Sequence, residues 1–192
     1  MRQLIERIRT DAVYIGNGIV KVDGFLNHQV DSGLLTAIGE TFAHRFAEIG
    51  IVNIDKIVTA ESSGILPALT TGQVLGVPMI YARKHDSATM TDDYYRAQAV
   101  SRTKGNRVNL AVSSRYMLPE NRVLLIDDFL ASGSTLLALI DIIQQSGATL
   151  CGIGCVIEKP TEQGRERLAH LNIPILSLAK IDWRDDAVIA YE

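Results

Sequence analysis

Val123-Leu124-Leu125-Ile126-Asp127-Asp128-Phe129-Leu130-Ala131-Ser132-Gly133-Ser134-Thr135 decides the fold of this 192-residue chain. The apolar run Val123 to Ile126 is short, β-branched at both ends and bounded by polar residues, which is how a strand buried on both faces of a parallel sheet reads. Two carboxylates, Asp127 and Asp128, fall at its carboxyl end, where ligands of open α/β sheets bind. The following turn, Ala131 to Thr135, carries small side chains, one glycine and three hydroxyls, and leads into the apolar helical pattern of Leu136 to Ile143. Unpaired N–H groups at a helix start carry about half a positive charge, so this turn has the size and polarity of a phosphate cradle.

Outward from that stretch, strand and helix patterns alternate. Helical spacing covers Met1 to Arg9, Leu34 to Ile49, Gly64 to Leu75, Leu136 to Gln145 (closed by Gly147) and a segment near Gln163 to Leu171. Strands are predicted at Ile54 to Ala60, Val77 to Ala82, Val108 to Ser113, Val123 to Ile126, Leu150 to Glu158 and Ile175 to Ala179. Such alternation predicts an α/β domain with a mostly parallel central sheet flanked by helices. No repeat, low-complexity tract or linker divides the chain, so residues 1–192 read as one domain.

Composition excludes several classes. A formal net charge of −3 argues against a protein that grips nucleic acid, and 47% hydrophobic residues suffice to fill a core. No run approaches the roughly 18 apolar residues of a membrane helix, and Met1 to Thr10 lacks a signal peptide's apolar block, so a cytoplasmic protein with no membrane partner is expected. Cys151 and Cys155, four apart in a predicted strand, should share a face about 13 Å apart, too far for a disulfide.

Two further features face the same end of the predicted sheet. Ala60-Glu61-Ser62-Ser63-Gly64 links a strand to a helix, as a second anion-receptive loop or as an ordinary serine-rich cap. The window Arg83 to Arg115 holds seven Lys or Arg and three acids, against twelve basic and nineteen acidic residues elsewhere. A cationic segment leaving a strand as Tyr81-Ala82-Arg83-Lys84-His85 suits a polyanionic substrate. Asp86 to Ala97 has weak periodicity, as a lid would; Arg96 to Arg107 also fits a solvated surface loop.

The acidic strand and its small-residue turn resemble the signature of type I phosphoribosyltransferases. The resemblance implies that family's fold, with a small hood built from the N- and C-terminal segments and a mobile flap over about 83–115. It places the 5-phosphate of phosphoribosyl pyrophosphate (PRPP) on Ala131, Ser132, Gly133, Ser134 and Thr135, and makes Asp127 and Asp128 catalytic beside the ribose, where fixed negative charge favours an oxocarbenium-like C1. It assigns the pyrophosphate to Ser62, Ser63, Arg83 and Lys84, with a non-proline cis peptide at or next to Ser62-Ser63. Mg²⁺ is expected with PRPP, and a homodimer is implied by resemblance alone.

The resemblance extends from the N-terminal helix to Val156-Ile157-Glu158-Lys159-Pro160, and implies purine salvage with xanthine as acceptor, held by Val20, Asn27 and Lys159. Lysine only donates, so Lys159 suits a 6-oxo group and would face adenine's 6-amino group unpaired, at about 1 to 3 kcal/mol or more. Asn27 can donate to a 2-oxo group or accept from guanine's 2-amino group. Phe25 and Phe129 fit either base stacking or core packing. Guanine, hypoxanthine or adenine as acceptor remain open alternatives within the family. A PRPP-sensing transcriptional regulator is the alternative of another class. It would need a DNA-binding domain ahead of this fold, for which Met1 to Gly50, with five basic and six acidic residues, is expected to leave no room.

Overall fold

The computed structural model describes residues 1–84, 93–100, 107–185 and 187–192. The decisive stretch forms β7 (Arg122–Leu130), in which Val123 to Ile126 are fully buried. Val123 and Leu125 face one core cluster while Leu124 and Ile126 face another, so the run is apolar because both sides are covered. β7 pairs in parallel with β3 (Lys56–Ala60) and β8 (Thr149–Glu158). β4 (Met79–Ala82), β9 (Ile175–Arg184) and β10 (Ala187–Tyr191) complete a six-stranded sheet in the order β10-β9-β8-β7-β3-β4. Only β10 runs antiparallel to its neighbour.

Helices α2 (Ser32–Glu48) and α3 (Ile65–Leu75) cover one face and α4 (Ser134–Ser146) the other. Asp31 caps α2 by accepting from Leu34 N–H at 3.0 Å, and Gly147, at φ 75°, ends α4. The hairpin of β5 (Tyr94–Val100) and β6 (Arg107–Ser113) lies against α4, burying Ala97, Ala99, Leu110 and Val112. A short helix, α5 (Gly164–Leu168), follows β8.

The chain ends meet. α1 (Arg2–Asp11) packs on β9 and β10, the N-terminal amine donates to Leu178 O at 2.9 Å, and Arg9 donates to Ala190 O. A small hairpin of β1 (Val13–Tyr14) and β2 (Val20–Lys21) stacks Tyr14 on Trp183 at 5.4 Å.

Two expectations change. Tyr94 to Val100 is a strand whose inward residues are alanines, too small to register as an apolar alternation, so the proposed lid is part of a hairpin where it is described. Residues 85–92 and 101–106, the remainder of that lid, lie outside the described residues. Cys151 and Cys155 do not share a face: an irregularity between Val123 and Leu124 opposite Cys151 resets the alternation, leaving Cys151 against one cluster and Cys155 in the other. Both cysteines are free thiols.

Candidate active site

β7 outlasts β3. Its pairing with β3 stops at Leu125 whereas its pairing with β8 runs on to Leu130, so on the β3 side Asp127 and Asp128 stand beside an opening. That opening is a cavity of about 160 Å³ lined by Ala60, Glu61, Ser62, Ser63, Gly64, Lys84, Asp127, Asp128 and Thr135. The two loops singled out from the sequence therefore meet at one crevice, at the carboxyl ends of β3 and β7.

Backbone geometry explains how they approach. The Glu61–Ser62 peptide is cis, next to Ser62-Ser63 as expected. Gly64 lies against Thr59 and Asp127 so closely that a Cβ there would stand 2.2 Å from Thr59 Oγ1 and 2.4 Å from Asp127 Oδ1. Only glycine lets the loop settle onto the carboxylate. In the other loop Gly133 adopts φ 75° and turns the chain into α4, whose second residue, Thr135, lines the crevice.

Electrostatics set the two acids apart from the other carboxylates. Burial, then the neighbouring Asp128 charge, pushes the Asp127 carboxyl well above its ordinary range; burial likewise raises Asp128, although bonds from Asp127 and the Phe129 amide oppose it. Asp127 Oδ1 accepts from Asp128 N–H at 3.0 Å and Asp128 Oδ1 from Phe129 N–H at 2.9 Å. Lys84 is the cation of this cavity, and its attraction draws both values back down. Glu61 holds the Lys84 backbone, accepting its N–H at 2.5 Å.

The structure separates the two cations expected at the pyrophosphate. Arg83 bridges to Ala111 at the sheet edge and lines a different groove, with Lys56, Tyr81, Tyr94 and Tyr116. Alternation along the extended chain sends neighbouring side chains to opposite sides, and Lys84 alone of the pair enters the cavity.

The turn Ala131 to Thr135 is braced from outside. Arg167 donates to Ser132 O at 2.8 Å, and Ser134 Oγ accepts from Val100 N–H at 2.7 Å, tying the β5–β6 hairpin to the start of α4. Gln145 clasps the same hairpin, donating to Arg96 O at 2.8 Å and accepting from Arg96 N–H at 3.2 Å. Arg165 grips Glu158 through bonds of 2.8 and 2.6 Å; burial raises that carboxyl, but the bonds from Arg165 and Ser177 outweigh it and hold it below its usual range. These buttresses carry no local sequence signal, because their partners are brought together by the sheet.

Lys159 follows β8 directly and its N–H donates to Leu130 O at 2.8 Å, which seats it beside the start of the turn. Its ammonium is buried, donates to Gly18 O at 3.0 Å, lies 3.8 Å from Glu162 and sits 5.0 Å over the Phe129 ring. Val20 is buried two residues beyond Gly18, whereas Asn27 is exposed at the end of a short π-helical turn, Asp23–Asn27. Phe25 is fully buried in the core, and Phe129 is half-buried beneath Lys159.

A family model described as "Phosphoribosyl transferase domain" matches residues 30–177. The chain belongs to the phosphoribosyltransferase family. Among curated family members, a xanthine phosphoribosyltransferase of Deinococcus deserti is 52% identical over 186 residues, covering 97% of this chain and 95% of its own. One from Streptococcus equi subsp. equi is 45% identical over 191 residues, covering 100% of this chain and 97% of its own. Among solved phosphoribosyltransferases, the adenine enzyme of Thermoanaerobacter pseudethanolicus superposes with TM-score 0.76 at 22% identity, over 94% of this chain and 99% of that one. The adenine enzyme of Saccharomyces cerevisiae does so with TM-score 0.76 at 23% identity, over 93% and 99%. At those identities the solved family members establish the type I fold.

Proposed function

We propose that this chain is a xanthine phosphoribosyltransferase, which joins N9 of xanthine to C1 of PRPP and releases diphosphate. The observation that carries this reading is the convergence of the acidic pair, the Ser62-Ser63 loop, Lys84 and Thr135 on one cavity, in a chain matched along nearly its whole length by xanthine phosphoribosyltransferases.

The amides and hydroxyls of Ala131 to Thr135 take the 5-phosphate, and Ser62, Ser63 and Lys84 take the diphosphate. Asp127 and Asp128 lie between, against the ribose hydroxyls. As the bond from C1 to diphosphate lengthens, positive charge grows on the sugar and the ionised acids stabilise it; no covalent nucleophile is needed. PRPP enters with Mg²⁺ on its diphosphate oxygens, where a hard cation neutralises the leaving group. Among the described residues no three His, Cys, Asp or Glu side chains converge into a metal cage.

In this reading xanthine is held by Val20, Asn27 and Lys159, as the family resemblance implies. The buried Lys159 ammonium can only donate, which favours a 6-oxo group and disfavours the 6-amino group of adenine. Purine salvage in the cytoplasm by a homodimer belongs to the same reading; among the described residues no helix is long and apolar enough to cross a membrane.

The test is direct. The protein is incubated with PRPP, Mg²⁺ and xanthine, guanine, hypoxanthine or adenine in turn, and nucleotide is measured. Xanthosine monophosphate as the fastest product and no adenylate supports the reading; faster turnover of guanine or adenine, or of no base, refutes it.

A further inference from the structure

Thr59 is the last but one residue of β3 and fully buried, yet its Oγ1 has no hydrogen-bond partner among the described residues. A buried hydroxyl left unpaired costs about 1 to 3 kcal/mol by general experience. Its surroundings name a partner. One point in space, where a side chain on Gly64 would begin, lies 2.2 Å from this oxygen and 2.4 Å from Asp127 Oδ1, so the two oxygens crowd the bare Cα of Gly64 and are at most about 4.6 Å apart. Ala60 O is 3.2 Å from the same point. Nothing about Thr59 in the sequence, a threonine in a strand of Ile, Val and Ala, distinguishes it from an ordinary β-former.

We propose that Thr59 is a positioning residue for the transfer reaction: its hydroxyl donates to the ionised carboxylate of Asp127 and holds that group against the ribose of PRPP. The inference rests on the catalytic reading of Asp127 and adds to it a group buried beneath the cavity. Burial raises the Asp127 carboxyl, which weakens its demand for a donor. Substrate arriving with bound cations favours the ionised form, and the waiting hydroxyl then completes its shell. Loop and strand fit this role, because any side chain at residue 64 would fill the space between the two oxygens.

Among the described residues, the charged or titratable groups facing Asp127 are Asp128 on its own strand, Glu61 and Lys84 around the cavity, and Cys155, its register partner on β8. All of them are common to wild type and to Thr59 variants, so a difference in pH profile between the proteins reports on Thr59.

Steady-state kinetics of Thr59→Val, Thr59→Ala and Thr59→Ser, each with a thermal melt, test the proposal. Valine and alanine should lower kcat about 10- to 100-fold, the loss of one hydrogen bond to a charged group, with KM for xanthine and PRPP within about twofold. The acid limb of their kcat profile should move to higher pH, since the ionised carboxylate has lost a donor. Serine should restore turnover to within about threefold of wild type. Turnover at the wild-type level in whichever of the valine or alanine proteins keeps its melting temperature overturns the proposal, as does a serine protein as slow as they are. A wild-type protein that makes no nucleotide with any base instead removes the catalytic reading itself, and this inference with it.

Discussion

The donor end and the base end of this site are built in opposite ways. The part of the donor end proposed to take the 5-phosphate and the ribose is one continuous stretch of chain, β7 into α4, set on the central strands of a sheet buried on both faces, and only its diphosphate side is borrowed from the ends of β3 and β4. The base end is assembled from pieces far apart in sequence: Lys159 reaches Gly18 across 141 positions, and Asn27 sits exposed on a separate turn. A local motif placed on a rigid core fixes chemistry common to a family; a surface joined by long-range contacts can change its ligand without disturbing that chemistry.

The contrast breaks most visibly if either end fails to behave as assigned. The largest effect belongs to the donor end. Asp128→Asn should lower kcat about 10²- to 10³-fold for every accepted base while KM for the base stays near wild type, because it removes charge aimed at the transition state. Full turnover would reduce the acids to a structural pair.

Next is the base end. Lys159→Ala should raise KM for xanthine about 10- to 100-fold, the cost of one charged hydrogen bond, and leave KM for PRPP unchanged. Equal effects on both substrates would merge the two ends. Asn27→Ala should act in the same direction but by less, roughly three- to tenfold in KM, since its side chain is exposed and its bond competes with water.

The smallest effect is on stability. The Asp127 carboxyl is raised by burial and by Asp128, so its contribution to stability is complete below the ordinary carboxylate pKa and is lost as pH rises through the raised value. Above the ordinary carboxylate range, the burial of this acid is a cost to the fold. Asp127→Asn should therefore raise the melting temperature at pH 7.5 by about 2 to 4 °C for each kcal/mol relieved, and raise it less at pH 4. An equal gain at both values would mean that charge is not the cause. The same substitution should depress turnover, which sets activity against stability at this position.

Much of the donor end could be read in the sequence. Its strand, its acids and its turn are adjacent, and each has a compositional signature that survives into the structure. The order of helices and strands from Leu34 to Ala179 was also legible, because apolar periodicity there reflects burial on the sheet. What stayed hidden depends on partners that the fold brings in. β5 was masked by alanines at its inward positions, and β10 by its place at an edge, with the inward Ala190 small among exposed neighbours. The separation of Arg83 from Lys84 follows from the edge bridge to Ala111, and the faces of the cysteines follow from one irregular residue pair. The unpaired Thr59 hydroxyl and the brace from Arg167 to Ser132 exist only once β3, β7 and α5 are in place.

The measurement that bears most directly on the site is a crystal structure of the protein with ribose 5-phosphate. The phosphate should lie on the amides of Ser132 to Thr135, at the start of α4, with the ribose hydroxyls turned toward Asp127 and Asp128. A phosphate bound instead at Ser62 and Ser63, with the turn after Leu130 left empty, would contradict the assignment of the donor end.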